Sequence, residues 1–357
     1  MQVHHSVRIS DQEGVYALDG CLCTGSGSVA LCLSLSNQTI QCYDACTASA
    51  LCTIRGHTCT IRDVTSSPTQ PHVLYSAQED TGVMVSDIRQ QSPAHFLSEY
   101  CGTGATGGAV ATSPNGDDIA VAVNGDIHIV DTRTWNTKRI IGTMHLDEIT
   151  RVRFISESVY CSAGEDQMIN FIDSSPVVKE NDMLLQALSC GEVATKMNAF
   201  PEHATLGIVG SCENAYTFPY VLQQQEVRYE RPDDATYCVD ICSLRGRLYL
   251  VTGVRDEDGN AGPLSVMDVA TRERVALPQF HKEISRVAIG VEDCLITGGE
   301  DNVLAFWREG PVSGGGNVEL TGAASSCTSV GHPPQKLKPL PRGSRTQKFV
   351  PYIKGAS

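Results

Sequence analysis

The sequence predicts an all-β fold, a seven-bladed β-propeller, on the basis of a repeated strand–turn–strand pattern. An apolar strand, a Ser or Thr, and an Asp four residues later recur at residues 73–80, 159–166 and 294–301. A second alternating strand follows each segment, and six residues after the Asp it reaches Ser86, Ile172 or Trp307. Equivalent positions are about 43 residues apart, which is the spacing of four-stranded propeller blades.

Seven such units account for the chain up to residue 308. The residue after each second strand marks its unit, and the seven markers are Asp44, Asp87, Asp131, Asp173, Thr217, Asp268 and Arg308. Successive markers are 43, 44, 42, 44, 51 and 40 residues apart. The fifth and sixth units follow the pattern least well, so their boundaries are the least sharply predicted.

The two ends of the chain indicate how the ring closes. The last unit stops at Arg308 after its third strand, which leaves its sheet without an outer strand. The N-terminal segment Val7-Arg8-Ile9-Ser10 has a strand pattern and is predicted to fill that edge. Residues 311–357 are rich in Gly, Ser, Pro and Lys. We therefore expect a propeller over residues 1–310, followed by a disordered basic tail.

Polar residues at fixed places in the units resemble those of the WD-repeat (WD40) proteins. In that family a His before the first strand, the Ser or Thr, the turn Asp and a strand Trp form a buried hydrogen-bonded ladder. One unit has all four residues and two lack only the Trp: His281, Thr297, Asp301 and Trp307; His57, Ser76 and Asp80; His145, Ser162 and Asp166. The resemblance implies a protein-interaction scaffold that is not an enzyme.

More distantly, residues 145–154, residues 295–307 and the tail are similar to the WD repeat-containing protein 89 family. That similarity implies a nuclear or nucleolar scaffold, and some of these relatives are linked to ribosome assembly.

The WD-repeat resemblance also implies that partners bind the top-face loops. The implied positions lie just before the turn Asp and three residues after the His. They hold Glu79, Glu165, Glu300, Thr60, Glu148 and, allowing for a shortening of one residue, Glu283. Five of these six residues are Glu, which predicts an acidic rim that binds a basic partner such as a ribosomal protein or assembly factor. Ordinary solvated turns are the alternative explanation.

The charge distribution favours the same kind of partner. The chain has 41 acidic and 27 basic residues, a net charge of −14. Residues 321–357 contain six basic residues and no acidic ones, so residues 1–320 have a net charge of −20. An acidic body repels nucleic acid and attracts basic proteins, so we expect direct nucleic-acid contact only through the tail.

The cysteines and the hydropathy pattern predict an intracellular protein, nuclear or cytoplasmic. The 15 cysteines include no Cys-x-x-Cys pair, and His4-His5 lacks a third ligand at a suitable spacing, so we predict no metal and no cofactor. We interpret the cysteines as reduced core residues. No apolar run approaches a membrane span, and the N-terminus does not read as a secretory signal.

Two sequence patterns resemble a nucleotide-binding motif and a catalytic triad, but the residues around them argue against both functions. Residues 102–107 spell G-x-G-x-x-G, but a strand rather than a helix pattern follows, so a dinucleotide site is not predicted. His, Ser and Asp occur together in three units, as in an acyl-transfer triad, but their repetition indicates a structural role. We predict no catalytic residue and no small-molecule substrate.

Two rival functions and one targeting signal remain open. Arg89 and Arg133 occupy the Arg position of the W-D-x-R ending found in substrate receptors of cullin-RING ubiquitin ligases, although Ser86 and Val130 replace the Trp. A propeller hydrolase would need several carboxylates around a metal in the central channel. In the tail, Arg345, Lys348, Pro351 and Tyr352 resemble a proline-tyrosine nuclear import signal.

Overall fold

A computed structural model of the chain describes residues 1–25, 27–79, 82–90, 93–97, 108–142, 144–179, 182–220, 227–229, 231–310 and 320–321. The residues between Met1 and Ala323 form one compact unit. The G-x-G-x-x-G motif and the predicted import signal lie outside the described residues. The predicted division of the chain at residue 310 stays a prediction.

The described residues form seven sheets, antiparallel apart from one parallel pair in the closing sheet, and each is made of strands that are consecutive in the chain except at the closure. The strands of blades 1 and 2 are β2 (Ala17–Gly25), β3 (Ser28–Leu35), β4 (Ile40–Asp44), β5 (Ala50–Ile54), β6 (Ile61–Ser66), β7 (Val73–Gln78), β8 (Gly82–Asp87) and β9 (Pro93–Leu97). Those of blades 3 and 4 are β10 (Val110–Thr112), β11 (Asp118–Val123), β12 (Asp126–Asp131), β13 (Thr137–Ile141), β14 (Ile149–Phe154), β15 (Val159–Gly164), β16 (Met168–Asp173) and β17 (Leu184–Ser189).

The remaining three blades complete the ring. Their strands are β18 (Ala194–Phe200), β19 (Thr205–Gly210), β20 (Ala215–Pro219), β21 (Val227–Tyr229), β22 (Tyr237–Leu244), β23 (Arg247–Arg255), β24 (Ala261–Asp268), β25 (Arg274–Ala276), β26 (Ser285–Val291), β27 (Cys294–Gly299) and β28 (Val303–Arg308). The first strand of each blade packs against that of the next, and β26 returns to β2, so these strands surround a central channel. The predicted seven-bladed propeller is confirmed.

The N-terminus closes the ring, as predicted, but with an earlier segment. Strand β1 (Gln2–Arg8) pairs antiparallel with β28, from Gln2 opposite Arg308 to Arg8 opposite Val303. The chain then turns at Ile9 and Ser10, where the Asn302 side chain accepts from the Ser10 N–H at 2.9 Å and donates to the Ser10 carbonyl at 2.7 Å. A short strand that the sequence pattern did not predict, β29 (Leu320–Thr321), adds in parallel to β1.

Apolar packing between blades holds the ring together. Seven buried clusters each join two adjacent blades, for example Leu31 and Tyr43 of blade 1 with Leu304 and Phe306 of blade 7. Strand residues alternate between faces, so each sheet buries one face against each neighbour. No helix in the described ranges is long and apolar enough to cross a membrane.

The repeat markers correspond to a structural position. The third strand of six blades ends at its marker: Asp44, Asp87, Asp131, Asp173, Asp268 and Arg308. Blade 5 differs, because Phe218 rather than Tyr216 lies opposite Leu206, at the position that Trp307 takes opposite Leu295. The fifth marker therefore belongs at Pro219, two residues after Thr217.

Candidate protein-binding face

The predicted ladder of blade 7 is present in full. Trp307 Nε1 donates to Thr297 Oγ1 at 2.8 Å, and Thr297 Oγ1 lies 2.8 Å from His281 Nε2. His281 Nδ1 lies 3.2 Å from each oxygen of the Asp301 carboxylate, which also accepts from the Lys282 N–H. The bonds form one series if the His carries its proton on Nδ1. All four side chains satisfy each other inside an apolar blade.

Blade 4 repeats this ladder without the Trp, because Ile172 takes the position of Trp307. His145 Nε2 lies 2.8 Å from Ser162 Oγ, and its Nδ1 lies 3.0 Å from Asp166 Oδ1. Burial alone would raise the pKa of Asp166, but hydrogen bonds from His145 and from the Leu146 and Met168 N–H groups outweigh it and lower that pKa. The turn is therefore held by an ionised carboxylate.

In blade 2 the structure describes the His–Ser hydrogen bond of the ladder. His57 Nε2 lies 2.8 Å from Ser76 Oγ, while Asp80 lies outside the described residues. His57 Nδ1 has no hydrogen-bond partner among the residues that are described. Burial lowers the pKa of His57 to about 4, so this imidazole is neutral at physiological pH.

Seven four-stranded blades, a closing N-terminal strand and the His–Ser/Thr–Asp ladder in two blades decide the family. The chain is a WD-repeat propeller. A scan against protein-family models found no match. The chain is similar to the Drosophila melanogaster "GATOR2 complex protein Wdr59", with 28% identity over 123 residues. That match covers 34% of this chain and only 13% of the relative. The similarity to the WD repeat-containing protein 89 family stays a prediction.

The fifth blade of the WD-repeat propeller replaces the ladder with a different buried network. Glu192 is 3% exposed and accepts from the Cys212 N–H at 2.6 Å, from Asn214 Nδ2 at 2.9 Å and from Tyr216 Oη at 2.6 Å. A Cβ on Gly210 would lie 2.1 Å from this carboxylate, so a larger residue there would have to displace Glu192. Sequence reasoning missed this network because it contains no His, Ser and Asp at the family spacing.

The predicted rim residues lie on the top face of the propeller. Two sets of loops meet on this face: the connections from one blade to the next, and the turns between the second and third strands of each blade. Backbone hydrogen bonds join the two sets of loops: Glu79 N–H to Thr60 O, Glu165 N–H to Glu148 O, and Glu300 N–H to Ile284 O. The residue equivalent to Thr60 and Glu148 is therefore Ile284. This corrects the alignment of Glu283, because no residue is missing between His281 and the start of β26 at Ser285.

Two of the rim carboxylates are neutralised by arginines at the channel mouth. Arg62 forms an ion pair with Glu79, and Arg286 Nε donates to Glu300 at 2.7 Å. Each arginine is the extra residue of a β-bulge near the start of its blade's first strand. A bulge of this kind re-aims a side chain, and here it directs each arginine to the carboxylate on the adjacent turn.

Blade 4 has no such arginine. Its bulge residue is Thr150, whose hydroxyl donates to the Ala163 and Ala194 carbonyls at 3.2 and 3.0 Å. Glu165 is exposed and Glu148 half-buried, and neither forms an ion pair within the described part of the chain. Glu283 is also exposed and without an ion pair there. The uncompensated negative charge of the rim therefore lies on blades 4 and 7.

Charged side chains cross the channel below this face. Arg153 donates to both Asp63 oxygens at 2.8 Å, and Lys196 donates to Asp19 at 2.9 Å. A cavity of about 600 Å³ lies toward the top face, lined by Arg62, Arg151, Lys196, Arg255 and Arg286 among others, and one of about 390 Å³ lies toward the opposite face.

The third channel carboxyl, Asp240, forms no ion pair with any residue that the structure describes. It accepts from Asn198 Nδ2 and the Ile241 N–H, both at 2.8 Å. Burial raises the pKa of Asp240 to about 7, although Lys196 acts in the opposite direction. Asp19 and Asp63 are bound to basic side chains, and among the described residues no group of three His, Cys, Asp or Glu side chains could hold a metal ion.

The predicted adaptor contacts lie on the opposite face, after the third strands of blades 2 and 3. The Arg89 guanidinium donates to both Asp87 oxygens, at 2.9 Å from Nε to Oδ1, and it lowers the pKa of Asp87. Arg133 is exposed, and its N–H donates to Asp131 Oδ1 at 3.0 Å. Arg89 is thus already engaged within its own turn.

Proposed function

We propose that this WD-repeat propeller is a non-enzymatic scaffold that binds a basic protein partner through its top face. The observation that supports this most directly is the pair of Glu148 and Glu165, which meet at the top of blade 4 with no arginine of the described ranges bound to either carboxylate. Carboxylates that lack an internal partner are available to lysines or arginines of another protein. The net charge of −20 over residues 1–320 would attract such a partner at long range.

The partner class that we favour is a ribosomal protein or a ribosome assembly factor, handled in the nucleus. Such proteins are basic and need to be kept from nucleic acid before assembly, and an acidic rim serves that purpose. The basic tail, with Pro351 and Tyr352, would direct import. The name of the similar Drosophila protein places that protein in a multi-protein complex, which is consistent with a scaffold role for the shared part.

A cullin-RING substrate receptor is the alternative, and it has less support. Arg89, which would have to reach a ligase adaptor, is held by Asp87, and Ser86 replaces the family Trp. Copurification of a cullin adaptor that is lost with Arg89→Ala would favour this alternative.

The test compares affinity purifications of three forms of the full chain, followed by mass spectrometry. The double variant Glu148→Lys/Glu165→Lys should lose basic partners at least tenfold. The matched control Asp117→Lys/Glu157→Lys changes the same charge at exposed turns on the opposite face and should retain them. Equal capture by both variants would contradict the proposal.

A second pair of variants changes the rim charge without removing any glutamate. Thr150→Arg places in blade 4 the arginine that blades 2 and 7 already have, so it should neutralise Glu165 and weaken capture. Arg286→Thr should free Glu300 and strengthen capture. Binding of a purified ribosomal-protein mixture, measured against rising salt, should follow the same order, and opposite signs would refute the assignment.

A further inference from the structure

Five of the cysteines lie in one blade and form a continuous row. Cys21 and Cys23 are on β2, Cys32 on β3, Cys42 on β4 and Cys52 on β5. Their positions are opposite one another in the sheet: Cys21 faces Cys32, Cys32 faces Cys42, and Cys42 faces Cys52. The row therefore crosses all four strands of blade 1.

The sulfur atoms along this row are in contact. Cys32 Sγ lies 3.7 Å from Cys23 Sγ and 3.2 Å from Cys42 Sγ. Cys21 and Cys52 extend the row at its two ends, close enough to Cys23 and Cys42, respectively, for the two thiols of each pair to shift each other's pKa. The contacts run 21–23–32–42–52, so a path of thiols joins the lower channel cavity, which Cys21 lines, to the outermost strand.

Access and ionisation differ along the row. Cys23, Cys32 and Cys42 are buried, whereas Cys21 and Cys52, at the two ends, are half-buried. Hydrogen bonds from their neighbours lower the pKa values of Cys23 and Cys42. Each end therefore has an accessible thiol beside one that ionises more easily, and the thiolate is the form that reacts with oxidants.

The linear arrangement favours sulfur oxidation over metal binding. The described residues contain no set of three ligands that could hold a metal ion, because these sulfurs follow one another instead of surrounding a point. Residues directly opposite in an antiparallel sheet have Cα atoms about 4.5–5.5 Å apart, which lies within the range of disulfides. Neighbouring strands can thus be linked with little movement.

We propose that this row is a site of oxidation by peroxides that yields a disulfide between neighbouring strands of blade 1. At the outer end, the half-buried Cys52 sulfur passes its proton to the neighbouring Cys42 thiolate and attacks a peroxide oxygen, the O–O bond breaks, and a sulfenic acid on Cys52 and hydroxide form. The Cys42 sulfur then attacks the sulfenic sulfur, giving the Cys42–Cys52 disulfide and water. In total the two thiols lose two electrons to one peroxide, and two waters leave.

The row then carries the disulfide inward by exchange. The Cys32 sulfur attacks Cys42, the Cys42–Cys52 bond breaks, and the proton that Cys32 loses balances the one that Cys52 takes up as it returns to the thiol and the Cys32–Cys42 disulfide forms. No further oxidant is consumed. The product joins two fully buried sulfurs, so it is shielded from reductants that reach Cys52.

The experiment treats the full chain with hydrogen peroxide, blocks free thiols with N-ethylmaleimide and maps linked peptides by mass spectrometry without reduction. We expect links within the row, with Cys32–Cys42 as the product that accumulates. Cys242 is a matched control, since it lines the same lower cavity as Cys21 and has a pKa raised by burial. It should stay a free thiol.

Two variants test the route. Cys52→Ala should slow formation of the Cys32–Cys42 link at least tenfold, whereas Cys242→Ala should leave its rate unchanged. Oxidation confined to the exposed Cys46 and Cys212, with no link inside the row of the wild-type chain, would overturn the proposal. An unchanged rate in Cys52→Ala would overturn the assignment of Cys52 as the point of entry.

Discussion

Asp240 is a buried channel carboxyl whose replacement by asparagine should make the protein more stable, by an amount that grows with pH. Asparagine has nearly the same shape, and its Oδ1 can still accept from Asn198 Nδ2 and the Ile241 N–H. The substitution therefore removes the titratable group and keeps both hydrogen bonds. What changes is the cost of ionising a carboxyl in a buried place.

The magnitude follows from the pKa. In the folded protein burial raises the pKa of Asp240 to about 7, against an ordinary value of 3.8. At pH values between 3.8 and about 7, Asp240 has lost its proton in the unfolded chain but keeps it in the folded chain. The free energy of unfolding of the wild-type protein therefore falls as pH rises, by about 1.4 kcal/mol per pH unit. The loss reaches about 4 kcal/mol above pH 7, and Asp240→Asn should avoid most of it.

Urea unfolding of both proteins at pH 5, 6, 7 and 8 measures this difference. The gain in the free energy of unfolding should be smallest at pH 5 and level off near pH 8. The control is Asp63→Asn, at the equivalent position of blade 2, which leaves Arg153 without its carboxylate and should cost about 3–5 kcal/mol. A gain from Asp240→Asn that does not change between pH 5 and 8 would refute the reasoning.

Three further predictions concern the ladder and the tail. Asp301→Ala should leave His281 and the Lys282 N–H without their acceptor, at a cost of about 2–3 kcal/mol in thermal or urea unfolding, and an unchanged melting temperature would contradict the ladder. The folded pKa of His57, about 4, lies below the unfolded value, so stability should fall as pH drops from about 6.5 to 4. His57→Gln should remove that part of the slope, and an identical slope in both proteins would show that His57 does not contribute. Residues 330–357 fused to a large fluorescent reporter should direct it to the nucleus, and Pro351→Ala/Tyr352→Ala should leave it cytoplasmic; equal distributions would exclude an import signal.

The repeat was predictable because each blade is encoded locally. A strand, a tight turn and a second strand fit within fifteen residues, and the marker positions such as Asp87 and Asp173 end the third strands as expected. The ladder was predictable for the same reason in blades 4 and 7. The network of blade 5 was not predictable. Glu192 takes the place of the ladder His there and accepts hydrogen bonds from the Cys212 N–H and Tyr216 Oη, and other side chains with a hydrogen-bond acceptor could occupy the same place.

The contacts that cross the ring could not be read from the sequence. Arg153 and Asp63 are 90 residues apart, and Lys196 and Asp19 are 177 apart, so no local pattern pairs them. The cysteine row needed the strand register as well, since a shift of one residue would turn each thiol to the other side of the blade. Such features depend on the closure of the ring, which brings seven separate sheets around one channel.

The bulge near the start of the first strands links the fold to the proposed binding face. The same backbone irregularity occurs in six blades, so it belongs to the architecture, whereas the residue it presents varies from blade to blade. In blades 2 and 7 the bulge residue is an arginine that binds the glutamate of the adjacent turn. In blade 4 it is Thr150, and Glu165 stays exposed to solvent. Counting rim glutamates in the sequence overestimates the charge available to a partner. Because one bulge residue decides whether a glutamate is available, the charge of the face can change in one blade without altering the ladder beneath it.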